Sequence, residues 1–184
     1  MMEARRIRTA SSDQLSAERF AEIDGLCAEA FGFAFDRVWE RVGQGIHVTA
    51  DVGRQVVAHA MIVDRRVYIG AELDTALDAA YVENVATLPE AQGQGHGTAV
   101  MAEVGRIIGE EYEIGALGTR DQPFYARLGW SVWGGQTFVR TPDGERLRTA
   151  SRDGEVMVLR TARTPPQISP DEPIAVDWRP GEPW

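Results

Sequence analysis

The segment that most constrains this chain is an apolar strand running into a glycine-rich bend and then an amphipathic helix. Ala79-Ala80-Tyr81-Val82-Glu83-Asn84-Val85-Ala86 has the composition of a buried strand carrying two polar residues, Glu83 and Asn84. After Pro89 the chain turns through Gln92-Gly93-Gln94-Gly95-His96-Gly97, and Val100, Met101, Val104, Ile107 and Ile108 then recur at helical spacing. Glycine admits positive φ and lets the backbone come close to a ligand. The first N–H groups of a helix have no intrahelical acceptor, and the helix dipole adds roughly half a positive charge there. Such a bend suits an anion, phosphate above all, with a plain structural turn as the alternative. The Gly-Lys-Ser/Thr ending of a P-loop is absent, and the dinucleotide fingerprint fails at Thr98, where it needs a third glycine.

Around this segment the pattern alternates strands and helices. Residues 6–10 predict an opening strand. Ser16 predicts a helix cap, followed by the apolar positions Phe20, Ile23, Cys27 and Phe31. A second helix is expected over 35–42, stopped by Gly43, and strands over 46–52, 55–63 and 66–70, the first two joined at Gly53-Arg54. Downstream come a strand over 114–117, a short helix from Pro123 closed by Gly129, and an antiparallel-looking set over 130–133, 137–141 and 155–159. Six of the nine prolines lie between Pro165 and Pro183, a composition that favours disorder. Ile174, Val176 and Trp178 nevertheless alternate with smaller or polar residues, which predicts a docked edge strand. With no repeat and no long linker, the expectation is one mixed α/β (α+β) domain over 1–184, its segment 164–184 ordered.

Charge and cysteine content narrow the function classes. The 184 residues carry a net charge of −9, and all 19 basic residues are Arg. An acidic field repels a phosphate backbone and attracts a polycation, so no nucleic-acid partner is expected. No run approaches the roughly 20 apolar residues of a membrane helix, and the polar start does not resemble a secretory signal. A single cysteine excludes an internal disulfide framework and fits the cytoplasm. Cys27, His47, His59 and His96 stand at unrelated spacings, so no metal site is expected.

Gln92, Gly95 and Gly97 form Gln-x-x-Gly-x-Gly, which resembles the pyrophosphate-binding motif of the GNAT N-acetyltransferase superfamily. Phe124-Tyr125-Ala126-Arg127-Leu128-Gly129-Trp130 is similar to that superfamily's Phe-Tyr-x-x-x-Gly-Phe segment. A narrower resemblance is to the aminoglycoside 2'-N-acetyltransferases. Ala80 to Ala86 resembles their Gly-Tyr-Val-Glu-Gly-Val-Ala strand, and Gly115-Ala116-Leu117 followed by Tyr125 to Trp130 resembles a later block. Asp177-Trp178-Arg179-Pro180-Gly181-Glu182-Pro183-Trp184 resembles their Asp-Trp-Arg-x-Gly-Asp-x-Trp terminus. The resemblance implies the GNAT acyltransferase fold, a central twisted, mostly antiparallel sheet flanked by helices. It also implies acetyl-CoA as cosubstrate, no metal, and a homodimer.

Roles follow residue by residue. A carboxylate in an apolar strand is costly unless paired or solvated, so Glu83 is either an ion-pair partner or a general base. As a base it would take a proton from an attacking ammonium, through water in the version the resemblance implies. Tyr125 is either a packing residue or the general acid that protonates the CoA thiolate. The resemblance assigns the backbone of Val85, Ala86 and Thr87 to the pantetheine arm, paired like an added strand, with one N–H holding the developing oxyanion. Gln92 and the amides of Gly93, Gln94, Gly95, His96, Gly97 and Thr98 would take the pyrophosphate. Gln92 departs from the commoner Arg and brings no charge.

For a polycationic substrate the resemblance offers Asp36, Glu83, the backbone at Asn84, Asp153, Glu182 and the α-carboxylate of Trp184. Gly118 stands where the family places a hydroxyl, with Thr119 beside it, and Arg152 neighbours Asp153. The expected activity is acetyl transfer from acetyl-CoA to the 2'-amine of an aminoglycoside by direct attack in a ternary complex, giving antibiotic resistance. The alternatives are acetylation of another polycationic amine (a polyamine, a cell-wall amino sugar, a protein N-terminus) and a non-catalytic aminoglycoside-binding module.

Overall fold

The computed structural model describes residues 4–184, which divide into two compact units. One takes the chain up to Val63 together with Val82–Arg106; the other takes Asp64–Tyr81 together with Ile107–Trp184. Three elements run from one unit into the other: strands β3 (Gln55–Ile69) and β4 (Thr75–Thr87), and helix α3 (His96–Glu111).

The first unit opens with β1 (Arg5–Ser11), α1 (Ala17–Phe31), α2 (Asp36–Val42) and β2 (Ile46–Val52). β1 pairs antiparallel with β2, and β2 with β3, through a hairpin at Gly53-Arg54. The Ser16 hydroxyl accepts from the Arg19 N–H at 3.1 Å, capping α1 as its position predicts. Only Ile23, Leu26 and Cys27 of α1 are buried. Phe20 and Phe31, on the predicted apolar face, remain partly exposed. They pack on aromatic neighbours instead, Phe20 at 5.3 Å from Trp39 and Phe31 at 5.2 Å from Phe35.

In the second unit the strand order is β6-β9-β5-β4-β3-β10-β7-β8, with β5 (Ile114–Gly118), β6 (Ser131–Val132), β7 (Thr137–Arg140), β8 (Arg146–Arg148), β9 (Val156–Arg160) and β10 (Ile174–Asp177). The pairs β4–β5 and β10–β7 are parallel; β5–β9, β6–β9, β3–β10 and β7–β8 are antiparallel. The core gathers Val67, Ile69, Leu77, Tyr81, Ile114, Trp133, Ile174 and Trp184, among others. Helix α4 (Gln122–Ala126) ends in a turn closed at Gly129, whose φ of 89° only glycine adopts freely. Both apolar ends of α3 are buried at the predicted positions, Val100, Met101 and Val104 in the first unit and Ile107 and Ile108 in the second.

Three expectations change. The predicted strands 55–63 and 66–70 are one strand, β3, because Asp64 and Arg66 lie on exposed positions and nothing between them breaks the chain. β10 is no edge strand: it lies between β3 and β7, with Ile174, Ala175 and Val176 all fully buried, while Trp178 is half exposed. β8, an exposed Arg-Leu-Arg edge strand, has no apolar pattern and was not predicted. The mixed α/β architecture itself is the expected one.

Candidate active site

In the first unit, β4 carries Glu83, Asn84, Val85, Ala86 and Thr87 in sequence, with Ala86 buried and the others half-buried. Asn84 has φ +53°, in the left-handed region, so the strand is kinked at the residue after Glu83. The bend that follows has its expected geometry. Gly93 and Gly95 have φ of 74° and 77°, and a Cβ built on Gly93 would meet nothing within 4 Å. The bend is exposed from Gln92 to Gly95, and α3 then begins at His96, so the amides of His96, Gly97 and Thr98 stand at its N-terminus.

The side chains fill in what the glycines leave. Gln92 turns its amide back onto the Thr87 carbonyl at 3.4 Å, and Gln94 bonds the Glu90 carbonyl at 3.0 Å. Arg5 of β1, which the sequence did not single out, donates from Nη1 to the Gly95 carbonyl at 3.1 Å. A guanidinium therefore stands at a bend where the motif position Gln92 is uncharged. No local pattern could have revealed it, since the partners are 90 residues apart. His96 is buried with its Nδ1 lacking a hydrogen-bond partner, and burial together with nearby Arg5 lowers its pKa. Free amides, a guanidinium and an unsatisfied imidazole nitrogen fit a diphosphate group.

The second unit brings together Gly118, Asp153, Glu182 and Trp184. At the end of β5, a Cβ placed on Gly118 would lie 3.5 Å from the Trp184 carboxyl carbon. Trp184 is buried; its indole N–H donates to Thr149 Oγ1 at 3.0 Å, Thr149 to Thr137 Oγ1 at 2.9 Å, and Thr137 to Asp153 Oδ1 at 3.0 Å. Asp153 is thus tied to the tail through two threonines, and the Arg148 guanidinium that grips it holds its carboxyl down at about 2. Glu182 pairs with Arg152, which also holds Glu155 at 2.8 Å. Arg65 locks the tail further, donating to the Pro183 carbonyl at 2.6 Å and the Asp177 carbonyl at 2.7 Å.

Tyr125 sits in α4, buried, edge-on to Phe124 at 4.9 Å and to Trp130 at 6.3 Å. Burial, helped by Asp121, pushes its phenol up to about 12, so it keeps its proton. Asp36 opens α2 on the surface of the first unit, and among the described residues no hydrogen bond ties it to another predicted site residue. Cys27 is buried in α1, and burial raises its thiol to about 12, which leaves it un-ionised. Among the described residues there is no group of three or more metal-ligating side chains, and no helix long and apolar enough to cross a membrane.

Residues 12–133 match the family model described as an acetyltransferase (GNAT) domain. The chain is 34% identical over 185 aligned residues to an aminoglycoside 2'-N-acetyltransferase of Mycolicibacterium fortuitum, covering 98% of this chain and 91% of that protein. A GNAT family N-acetyltransferase of Escherichia coli, solved in complex with CoA, superposes with a TM-score of 0.65 at 15% identity, over 96% of this chain and 91% of the other. A GCN5-related N-acetyltransferase of Kribbella flavida superposes with a TM-score of 0.56 at 22% identity, over 72% of this chain. The chain spans about a third of that protein, 34% of its length.

Proposed function

Because this chain belongs to the GNAT acetyltransferases, enzymes that move acetyl from acetyl-CoA to an amine, we propose that its acceptor is the 2'-amine of an aminoglycoside. The similarity to the Mycolicibacterium fortuitum enzyme along nearly the whole chain carries this reading. The net charge of −9 supports it, since an acidic protein draws in a drug bearing several ammonium groups.

Acetyl-CoA supplies an activated acyl group as a thioester. The chain's own residues do the rest. The amides of the Gly93 to Thr98 bend and the Arg5 guanidinium hold the diphosphate, and the edge of β4 from Val85 to Thr87 pairs with the pantetheine arm. The Val85 N–H stabilises negative charge developing on the acyl oxygen, an interaction stronger in the transition state than before it. Glu83 takes the proton that an incoming ammonium must lose before its nitrogen is nucleophilic. Tyr125, with its phenol still protonated at neutral pH, returns a proton to the departing thiolate. The Trp184 carboxyl group beside Gly118 faces the drug's ammonium groups. Glu182 and Asp153 hold the tail through Arg152 and Thr137 as well as offering negative charge. Acetylation turns a cation into a neutral amide, the basis for a resistance role.

The test is thiol release from acetyl-CoA across a panel of aminoglycosides, with the acetylated nitrogen located by NMR. Release with 2'-amino drugs and none with 2'-hydroxyl analogues is expected. Release with polyamines or peptides but with no aminoglycoside would overturn the assigned acceptor. Glu83→Gln is expected to lower kcat about 10²- to 10⁴-fold.

A further inference from the structure

His59 is fully buried between two fixed partners. Its Nδ1 lies 3.0 Å from the Asn84 carbonyl oxygen, and its Nε2 lies 3.0 Å from Nδ1 of His47. His47, also buried, has its Nε2 3.0 Å from Oγ of Ser12. A carbonyl oxygen can only accept, so Nδ1 of His59 carries hydrogen. In a neutral imidazole the other nitrogen then accepts, which makes His47 Nδ1 a donor and leaves its Nε2 an acceptor beside the Ser12 hydroxyl, which also has the Gly45 carbonyl at 3.1 Å. One carbonyl thereby fixes the tautomer of both rings.

The surroundings keep both rings neutral. Burial lowers His47 to about 4 and His59 to about 3, and the charges of His47 and Arg19 further oppose a proton on His59. The carboxylates nearby are each taken up, Asp51 by Arg8 and Arg19 and Asp24 by the Trp39 indole N–H at 2.7 Å. Cys27 Sγ is 3.7 Å from His59 Nδ1 and Trp39 packs on both rings, while the nearby Arg19 is held by Asp51 and Thr49.

The partner at the far end is the kinked residue of β4. Asn84 keeps φ +53° although its own side-chain Nδ2 is buried without a hydrogen-bond partner. Its main-chain carbonyl is what the surroundings grip. A trans peptide is planar, with its C=O and N–H pointing in opposite directions, so fixing the Asn84 carbonyl also fixes the Val85 N–H.

We propose that His59 is a positioning residue: its Nδ1–H holds the Asn84 carbonyl and so keeps the Val85 N–H turned to the other side of the strand, presented to the acyl oxygen of the thioester. This rests on the assignment of β4 as the acyl-binding strand. His59 touches no substrate and acts only through the shared peptide.

Three measurements test it. Two-bond ¹⁵N–¹H correlation spectra of the wild type are expected to show the Nδ1–H tautomer at both His47 and His59; an Nε2–H tautomer at His59 overturns the assignment whatever the variants do. The carbonyl stretch of ¹³C-labelled acetyl-CoA is expected to move to lower wavenumber on binding the wild type. It should return towards the free value in His59→Phe and move back again in His59→Gln, whose amide can donate to Asn84 and accept from His47. In parallel, His59→Phe should lose about 10- to 100-fold in kcat, less than outright removal of such a donor, with the KM for acetyl-CoA little changed. Equal stretches in wild type and His59→Phe overturn this proposal and leave the assigned reaction standing. A wild type that binds no acetyl-CoA overturns the assigned reaction, and the proposal with it.

Discussion

The tail residue Trp184 is held by a line of hydroxyls, which makes Thr149→Val a decisive perturbation. Valine matches threonine in shape, so no cavity opens and only hydrogen bonds are lost. Two vanish: the indole N–H loses its acceptor at 3.0 Å, and Thr137 loses its donor at 2.9 Å. The Thr137 hydroxyl can still donate to Asp153 or to the Thr149 carbonyl, so its loss costs about 0.5–1 kcal/mol. The indole is buried and left unsatisfied, which costs about 1–3 kcal/mol. The sum is about 1.5–4 kcal/mol, which for a chain of this size lowers the Tm by about 3–16 °C. Calorimetry reads that shift, and steady-state kinetics reads its consequence. If Trp184 faces the drug, the KM for the aminoglycoside should rise about tenfold while that for acetyl-CoA stays within twofold. An unchanged Tm would refute the hydrogen-bond reasoning. A Tm loss with equal rises in both KM values would make the tail a structural element only.

Other expectations are shorter to state. His47 and His59 sit below their ordinary 6.5, so the stability they confer is present above pH 6.5 and is lost as pH falls towards 4 and then 3. Proton uptake on unfolding should grow from about one at pH 6.5 to nearly two at pH 5, measurable as the slope of stability with pH, and the double variant His47→Gln/His59→Gln should flatten it. Arg5→Ala should weaken CoA binding about 3- to 10-fold by calorimetric titration, with a steeper loss for CoA than for the drug; equal binding would remove Arg5 from the diphosphate site. Tyr125→Phe should cut kcat about 10²-fold without changing substrate KM values, and the wild-type rate should show no fall from phenol ionisation below about pH 11. A wild-type alkaline limb near pH 8 that vanishes in Tyr125→Phe would contradict the buried, protonated phenol.

Local chemistry determined much of this protein in advance. The Ser16 cap, the glycine bend before α3 and the buried stripe of α3 depend on residues within a few positions of one another, and all appear where the pattern puts them. The resemblance of the β4 segment and the Trp178 to Trp184 tail to known acetyltransferases was equally local, because it lies in contiguous residues. The errors at β3 and β10 share one cause. A strand's place in a sheet, central for β10 and unbroken for β3, depends on which distant segments pair with it, and alternation within four residues cannot report that.

The sequence alone therefore determined most of the element types, the glycine-rich bend and the family. Tertiary structure decided which polar groups meet: Arg5 with Gly95, Trp184 with Thr149 and through it Asp153, and His59 with the Asn84 carbonyl. These partners are 90, 35 and 25 residues apart for Arg5, Trp184 and His59 respectively. Hydrogen bonds act over about 3 Å of space and carry no signature in chain spacing, so only the folded backbone could bring them into view.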